Sequence, residues 1–112
     1  MSKRDSQLLL GDIIESVRKI DRYRAGLSKS DFLIDDKTSD AVIRNLEIIG
    51  EAVRQLPSEF KDAHTGIPWS QIAGLRNRIV HDYAGVDLEL VWEIVEGSLP
   101  ELLKEIGKLS DL

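Results

Sequence analysis

The sequence predicts an all-α protein, an up-and-down bundle of four main helices with short extra helical turns. The first observation is that apolar residues recur every three or four positions in four separate stretches, the period of a helix with one buried face. The second is that no segment alternates apolar and polar residues as a half-buried strand does. The third is that the connections between the stretches are short, which favours a bundle of antiparallel neighbours.

The first helix is expected over residues 5–25, with Asp5 or Ser6 as its N-cap and Gly26 as its stop. Its buried stripe consists of aliphatic residues at helical spacing, namely Leu10, Ile13, Ile14, Val17 and Ile20. A polar cluster at residues 28–31 can cap one short helical turn after it.

The second helix is expected over residues 40–56, after a loop at residues 35–39 that offers several N-caps. Pro57 ends this helix because proline lacks the N–H that a helix interior needs. Gly50, in the middle of the helix, costs about 1 kcal/mol relative to alanine. Either the helix tolerates this cost or Gly50 allows a neighbouring helix to approach closely, which is the interpretation we favour.

The third helix is expected to begin near Trp69 and to carry a polar octet at residues 76–83. Asp87 is a suitable N-cap for the fourth helix. Pro100 must kink or restart that helix, and Ser98 is the expected cap of the restarted segment.

The apolar stripes are wider than a solitary small bundle needs. On the fourth helix Leu90 and Ile94 fall away from the main face, so apolar positions cover roughly 220° of the helical wheel. The excess favours a second apolar contact, most simply a homodimer. The alternative is that the short turns around Phe32 and Phe60 cover it.

Length and composition limit the functions open to the chain. Its 112 residues fit a single domain, residues 1–112, and the absence of cysteine is typical of a reducing compartment. No apolar run approaches the ~18 residues of a membrane span, and with no signal peptide the expected location is cytoplasmic. The formal net charge is −5, so any contact with a polyanion must come from a local basic patch.

The octet concentrates polar residues in a helix that should be packed. Its sequence is Arg76-Asn77-Arg78-Ile79-Val80-His81-Asp82-Tyr83. Such groups cost stability in a packed helix unless they are paired or used. In a continuous helix Asn77 and His81 share a face, and so do Arg78 and Asp82. Arg76 and His81 would lie roughly 140° apart around the helix axis, so they meet only if the helix loosens or a second copy faces the first.

Arginine and histidine together can cleave RNA without a metal. Arginine clamps a phosphodiester, and histidine, which titrates near neutrality, can act as general base or acid on the ribose 2′-hydroxyl. With no cysteine and with His64 in a distant loop, no metal site and no cofactor are expected. The spacing alone is weak evidence, because a lone histidine on a packed helix is more often a hydrogen-bonded structural residue.

The octet resembles the Arg-x4-His-x-Tyr motif of the HepT-like proteins, a branch of the HEPN superfamily. The resemblance covers nearly the whole chain. Residues 46–52 are similar to the family's second-helix signature, residues 69–72 to its approach to the motif, and residues 91–95 to its last long helix.

The resemblance implies a homodimeric HEPN bundle, in which two motifs face each other, and a toxin that acts as a metal-independent endoribonuclease. It implies that Arg76 and His81 are catalytic, with Asn77 as a supporting group. Arg78 is expected to support them, because Arg76 and Arg78 together with their symmetry mates in one cleft would overcome the acidic net charge. The resemblance also implies that an MNT-type nucleotidyltransferase antitoxin silences the toxin by transferring AMP from ATP to Tyr83.

Two alternatives stay open at this stage. Glu51, a polar residue in an apolar helix, either lines the same cleft as the motif or simply faces solvent. The protein itself could instead be a non-catalytic nucleotide-binding or adaptor subunit of a nucleotidyltransferase complex, because some HEPN relatives bind nucleotides or act as scaffolds without cleaving RNA.

Overall fold

A computed structural model of the protein describes residues 3–81 and 85–109. The helices are α1 (Lys3–Arg24), α2 (Lys29–Ile34), α3 (Asp36–Gln55), α4 (Ser58–Ala63), α5 (Trp69–Ala73), α6 (Leu75–Ile79), α7 (Leu88–Glu93) and α8 (Leu99–Gly107). A π-turn (Ile94–Ser98) joins α7 to α8, and two extended pairs of residues, β1 (Val80–His81) and β2 (Gly85–Val86), lie between α6 and α7. The predicted all-α class is confirmed.

The two long helices, α1 and α3, form the most extensive helix pair of the fold. Their facing stripes are almost completely buried, with Leu10, Ile13, Val17 and Ile20 from α1 and Val42, Leu46, Ile49 and Val53 from α3. The later helices complete the core on α3 and α1, since α5 and α6 pack on α3 and α8 packs on α1. Burial of these aliphatic side chains is the main stabilising contribution.

Helix α3 begins at Asp36, four residues before the predicted start. The reason is an N-cap at Asp35, whose carboxylate accepts hydrogen bonds from the Thr38 backbone N–H at 3.0 Å and from its hydroxyl at 2.7 Å. These hydrogen bonds lower the pKa of the Asp35 carboxyl. The predicted loop at residues 35–39 is therefore mostly the first turn of the helix.

The close approach predicted at Gly50 is confirmed. A Cβ added at Gly50 would lie 3.3 Å from the carbonyl oxygen of Ile72 and 3.4 Å from that of Ala73. The neighbour is the backbone of α5, which contacts α3 at this point. A Cβ at this position would be closer to the α5 backbone than an ordinary van der Waals contact, so a larger residue would require the two segments to shift.

The predicted continuous third helix is wrong in two places. Helical structure is interrupted at Gly74, and it ends at Ile79 because Val80 is extended, with φ −104° and ψ 124°. From Val80 the chain forms a short antiparallel ladder, in which Val80 pairs with Val86 and His81 with Gly85. The backbone N–H of Asp87 also donates to the Ile79 carbonyl oxygen at 2.7 Å. The ladder and this hydrogen bond satisfy backbone groups that a longer helix would have paired.

The fourth helix differs from the prediction at Pro100. The Asp87 cap is confirmed, since its side chain accepts from the Leu90 backbone N–H at 3.1 Å. The Ser98 cap is wrong: Ser98 is itself helical, and the wider π-turn carries the helix into Pro100 without a restart. A wider turn accommodates proline, which lacks an N–H and crowds the carbonyl four residues before it.

The core face of the fourth helix differs from the prediction. Ile94, predicted to fall away from the main face, is only 1% exposed, because it follows the buried Val91 by three positions and shares its helical face. Phe32 packs against Trp92 with 5.2 Å between ring centroids, and Phe60 lies 6.1 Å from the Trp69 ring. The short helices thus cover part of the excess apolar surface, as the alternative to a homodimer predicted.

Some large apolar side chains stay exposed. The most exposed are Ile34 at 82% and Leu8 at 61%. The homodimer stays a prediction. Within residues 3–81 and 85–109, none of the helices combines the length and the apolar character that crossing a membrane requires.

Candidate functional site

The motif residues divide between a helix and an extended segment. Arg76, Asn77 and Arg78 lie on α6, and all three are exposed. His81 is the second residue of β1, where its backbone pairs with Gly85. Tyr83, the predicted AMP acceptor, and its neighbour Asp82 lie outside the described residues.

The end of α6 at Ile79 changes the geometry expected of the motif. Because Val80 leaves the helix, Asn77 and His81 do not share a helical face. The helix ends at Ile79, two residues before His81. Such an interruption is one of the two ways in which Arg76 and His81 were expected to approach one ligand. A helical separation of roughly 140° therefore no longer applies to Arg76 and His81.

Arg76 and Arg78 line two different clefts. They are two positions apart on α6, which places them about 200° apart around the axis. Arg76 lines a cleft of about 290 Å³ between α3 and the α5–α6 segment, here called the α3 cleft. Arg78 lines a separate groove of about 240 Å³, walled by α5, the π-turn and α8. Within a single chain Arg76 and Arg78 therefore do not share a cleft, and a composite cleft formed with the arginines of a second copy stays a prediction.

The α3 cleft contains more charge than the motif alone supplies. Its charged lining residues are Arg44, Glu47, Glu51, Arg54 and Arg76. Three arginines and two glutamates leave one excess positive charge, whereas the whole chain has a formal net charge of −5. The lining of the α3 cleft is therefore weakly positive in an otherwise acidic protein.

Glu51 lines the same cleft as Arg76, which was one of its two predicted placements. Its carboxylate accepts a hydrogen bond of 3.1 Å from Nη1 of Arg54. The second terminal nitrogen of Arg54, Nη2, donates to the Ala73 carbonyl oxygen at 2.7 Å. Glu51 is therefore linked through Arg54 to Ala73, the last residue of α5.

Arg76 has an acidic neighbour on α3. Its Nε lies 3.9 Å from Oε1 of Glu47, and the two side chains are 60% and 46% exposed. An exposed ion pair at this distance contributes little to stability, since water screens the charges. The Arg76 guanidinium is therefore held loosely and can exchange the carboxylate for a phosphate oxygen.

The sequence interpretation missed Glu47 and Arg54. A signal was present, because residues 47, 51 and 54 follow the helical spacing and share the polar face of α3. This spacing alone could not identify Glu47 and Arg54 as site residues, since most surface helices have an exposed polar face. Only the approach of α5 and α6 to this face distinguishes these residues.

The described part of the chain contains no group of three histidine, aspartate or glutamate side chains placed to hold a metal ion. The cleft offers guanidinium groups, whose rigid forks suit bidentate contacts with phosphate oxygens. Its carboxylates would repel an anionic ligand unless they remain paired with arginine. The arrangement therefore suits a phosphodiester better than a neutral small molecule.

Comparison with known proteins agrees with this chemistry. The family model described as "Ribonuclease HepT-like" matches residues 13–109. A Thermococcus cleftensis protein named "Probable ribonuclease HepT" is 41% identical over 107 residues, which cover 96% of this chain and 97% of the relative. A Methanocaldococcus jannaschii protein named as a "Putative RNase" is 39% identical over 109 residues, covering 97% of this chain and 90% of the relative.

A further Methanocaldococcus jannaschii relative, named "Gamma-glutamylcyclotransferase and putative RNase", is also 39% identical over 109 residues. The match covers 97% of this chain and 49% of that protein, so the chain spans about half the length of this relative. No solved structure matches the chain significantly. The family match over residues 13–109 and the near full-length relatives show that the chain belongs to the HepT-like family of the HEPN superfamily.

Proposed function

We propose that the protein is an endoribonuclease of the HEPN type, in which Arg76 binds the scissile phosphate and His81 transfers protons. The observation that carries the proposal is the place of Arg76: an exposed, loosely paired guanidinium in the positive α3 cleft, on the helix that ends just before His81. Membership of the HepT-like family supports the same function.

The proposed reaction needs no nucleophile from the protein. The His81 imidazole takes the proton of a ribose 2′-hydroxyl, whose oxygen attacks the adjacent phosphorus. The bond between phosphorus and the 5′-oxygen of the next nucleotide breaks, and that oxygen takes up a proton. The products are a 2′,3′-cyclic phosphate and a 5′-hydroxyl. Arg76 offsets the negative charge that accumulates on the phosphate oxygens during attack.

We also propose the homodimer, because the reaction needs both a base and an acid. In a dimer with facing motifs, a second His81 imidazole would protonate the leaving oxygen while the first accepts the 2′-proton. Two α3 clefts would also double the local positive charge on an acidic protein. Exposed apolar side chains such as Leu8 and Ile34 are available for such a contact.

The proposed partner is an MNT-type nucleotidyltransferase that acts as antitoxin and adds AMP to Tyr83. This proposal rests on the position of Tyr83 in the motif, two residues after His81. Phosphate attached there would add negative charge within the motif and compete with RNA for its guanidinium groups. Silencing of the enzyme then needs no change of fold.

Incubation of the purified protein with RNA in the presence of a chelator tests the proposal. We expect cleavage products that end in 2′,3′-cyclic phosphate, and we expect His81→Ala to lose the activity while it keeps the helical circular dichroism of the wild type. Arg18→Ala, a change on the exposed face of α1, is the matched charge control and should cleave normally.

Equal cleavage by wild type and His81→Ala would contradict the proposed role of the histidine. A wild-type protein that cleaves no RNA but binds a nucleotidyltransferase stoichiometrically would instead favour the adaptor function.

A further inference from the structure

We propose that Arg54 is a positioning residue of the site, which ties α3 to the last carbonyl of α5 and thereby fixes where α6 presents Arg76. The inference rests on the proposed ribonuclease function for its kinetic test. It assigns Glu51 an indirect role, exerted through Arg54 and not on the RNA.

Two hydrogen bonds fix the Arg54 guanidinium. One joins Nη2 to the Ala73 carbonyl oxygen at 2.7 Å, and the other joins Nη1 to Glu51 Oε2 at 3.1 Å. Because the guanidinium is a rigid planar fork, contacts through both terminal nitrogens determine its orientation as well as its position. Ala73 is the last residue of α5 and precedes Arg76 by only three positions.

The same turn of α3 holds α5 by a second contact. Gly50, four residues before Arg54, lies on the same helical face and brings the α3 backbone against the Ile72 and Ala73 carbonyls. The packing contact at Gly50 sets the distance between the two segments. The hydrogen bond from Arg54 then sets the position of α5 along α3, which the packing contact leaves less defined.

The junction that Arg54 holds is the hinge between α5 and α6. Gly74 interrupts the helix directly after Ala73, with φ −91° and ψ 10°. A glycine junction lets α6 change its angle to α5 at little cost. A side chain that anchors the residue before the junction restricts that freedom, and Arg76 is on the first turn after it.

Loss of the Arg54 side chain should leave the fold intact. Leu75 and Ile79 anchor α6 in the core at 2% and 0% exposure, and the Arg54 side chain itself is 46% exposed. The expected consequence is a small displacement of Arg76, to which catalysis is sensitive because displacements near 1 Å can reduce rates about 100-fold. An alternative role, in which Arg54 binds RNA directly, would weaken substrate binding instead.

Kinetics of RNA cleavage separate these roles. For Arg54→Ala we expect kcat to fall about 10- to 100-fold with KM changed less than about threefold. Arg54→Lys should recover part of kcat, because an ammonium can donate to Ala73 but cannot also reproduce the paired contact with Glu51. Glu51→Gln should lose less kcat than Arg54→Ala, since its amide oxygen still accepts a hydrogen bond from Arg54.

Amide hydrogen exchange tests the positioning without any RNA. The matched charge control is Arg18→Ala. Compared with this control, Arg54→Ala should show faster amide exchange in α6, residues 75–79. The exchange rates of core amides in α1 and α3 should be the same in both variants. If the wild type cleaves no RNA, the proposed function is wrong. The exchange comparison then still shows whether Arg54 restrains the position of α6.

Three outcomes would overturn the inference. They are a raised KM with unchanged kcat in Arg54→Ala, wild-type kinetics in that variant, and α6 exchange identical to that of the control.

Discussion

Gly50 and Ile72 stand so close that a Cβ on Gly50 would lie 3.3 Å from the Ile72 carbonyl oxygen. The contact joins the middle of α3 to the backbone of α5, the segment that leads into the motif helix. Glycine in a helix interior costs about 1 kcal/mol of propensity, so this position gives up local stability to allow the approach. The same contact makes the position sensitive to the smallest substitution.

Gly50→Ala should destabilise the protein by about 1 kcal/mol, as the net of a propensity gain and an overpacking cost of about 1–3 kcal/mol. The crowded atoms are backbone carbonyls of a packed segment, which cannot rotate away as a flexible side chain can. Chemical denaturation measures the change in the free energy of unfolding.

Gly11→Ala on α1 is the matched control. Among the described residues, nothing lies within 4 Å of a Cβ placed at Gly11, so this variant should be stabilised by about 0.5–1 kcal/mol. If Gly50→Ala gains as much stability as the control, the close approach does not constrain α3.

Asp35→Ala should lower the midpoint of thermal unfolding by a few degrees at neutral pH, because the N-cap of α3 loses its acceptor for Thr38. Asp35→Asn keeps a side-chain oxygen as acceptor, so its unfolding midpoint should fall by less. Thermal scans followed by circular dichroism give both values.

The contribution of Asp35 should also depend on pH. Its pKa is lowered in the folded protein by the Thr38 hydrogen bonds, so its stabilisation is complete above the ordinary aspartate pKa of about 3.9. It disappears as pH falls through the lower folded pKa, because the unfolded state then binds the proton more readily. The difference in unfolding midpoint between wild type and Asp35→Asn should therefore become smaller in that acidic range. A difference that stays constant with pH would contradict a stabilising role of the ionised carboxylate.

The sequence was sufficient to predict the all-α fold class and the N-cap of α7 at Asp87. Helical periodicity and side-chain caps are local signals, and they are readable from neighbouring residues. The start of α3 was misplaced because four of the five residues from Asp35 to Ser39 are suitable N-caps. The π-turn was missed because propensity predicts that Pro100 kinks or restarts a helix, whereas a wider turn also accommodates proline.

The sequence identified some residues that line the α3 cleft but not the arrangement of the cleft. The motif selected Arg76, and Glu51 was selected by its polar character in an apolar helix; both line the α3 cleft. The contact between Arg54 and Ala73 spans nineteen positions and depends on a turn at Gly74, which no local pattern encodes. The apolar periodicity also predicted that the helix continues through Val80. An apolar β-branched residue fits the buried stripe of a helix and a strand equally well, so the pattern could not show that the helix ends there.

Arg24→Ala should destabilise the protein by about 1–2 kcal/mol, because Arg24 ties the end of α1 to the π-turn. Its guanidinium donates to Glu96 at 2.8 Å and to the Val95 carbonyl at 3.2 Å, and it lies 5.4 Å from the centre of the Trp92 ring. The Val95 carbonyl belongs to the widened turn, so Arg24 helps to satisfy it.

Arg24→Lys should restore less than half of that loss, since an ammonium cannot make the forked contact with both Glu96 and the Val95 carbonyl. Denaturant unfolding of both variants measures the difference. Full rescue by lysine would show that charge alone matters at this position.

Tyr83→Phe should abolish AMP transfer if the nucleotidyltransferase modifies the motif tyrosine. The wild type, incubated with that partner and ATP, should gain the mass of one or more adenylates, because the phenol oxygen is the proposed acceptor. Intact-mass spectrometry records the gain, and Tyr23→Phe, an exposed tyrosine on α1, is the matched control. An unchanged mass gain in Tyr83→Phe would place the modification elsewhere.

Arg76→Ala should reduce RNA cleavage about 100- to 1000-fold, the usual effect of removing a donor that offsets transition-state charge. Arg78→Ala should reduce it less than about tenfold, because Arg78 lines the separate groove beside α8 and reaches RNA only through long-range charge. Initial cleavage rates at two ionic strengths test this, since added salt should remove the Arg78 effect and leave that of Arg76. Equal losses in the two variants would mean that both arginines meet in one composite cleft, as facing copies of the motif would allow.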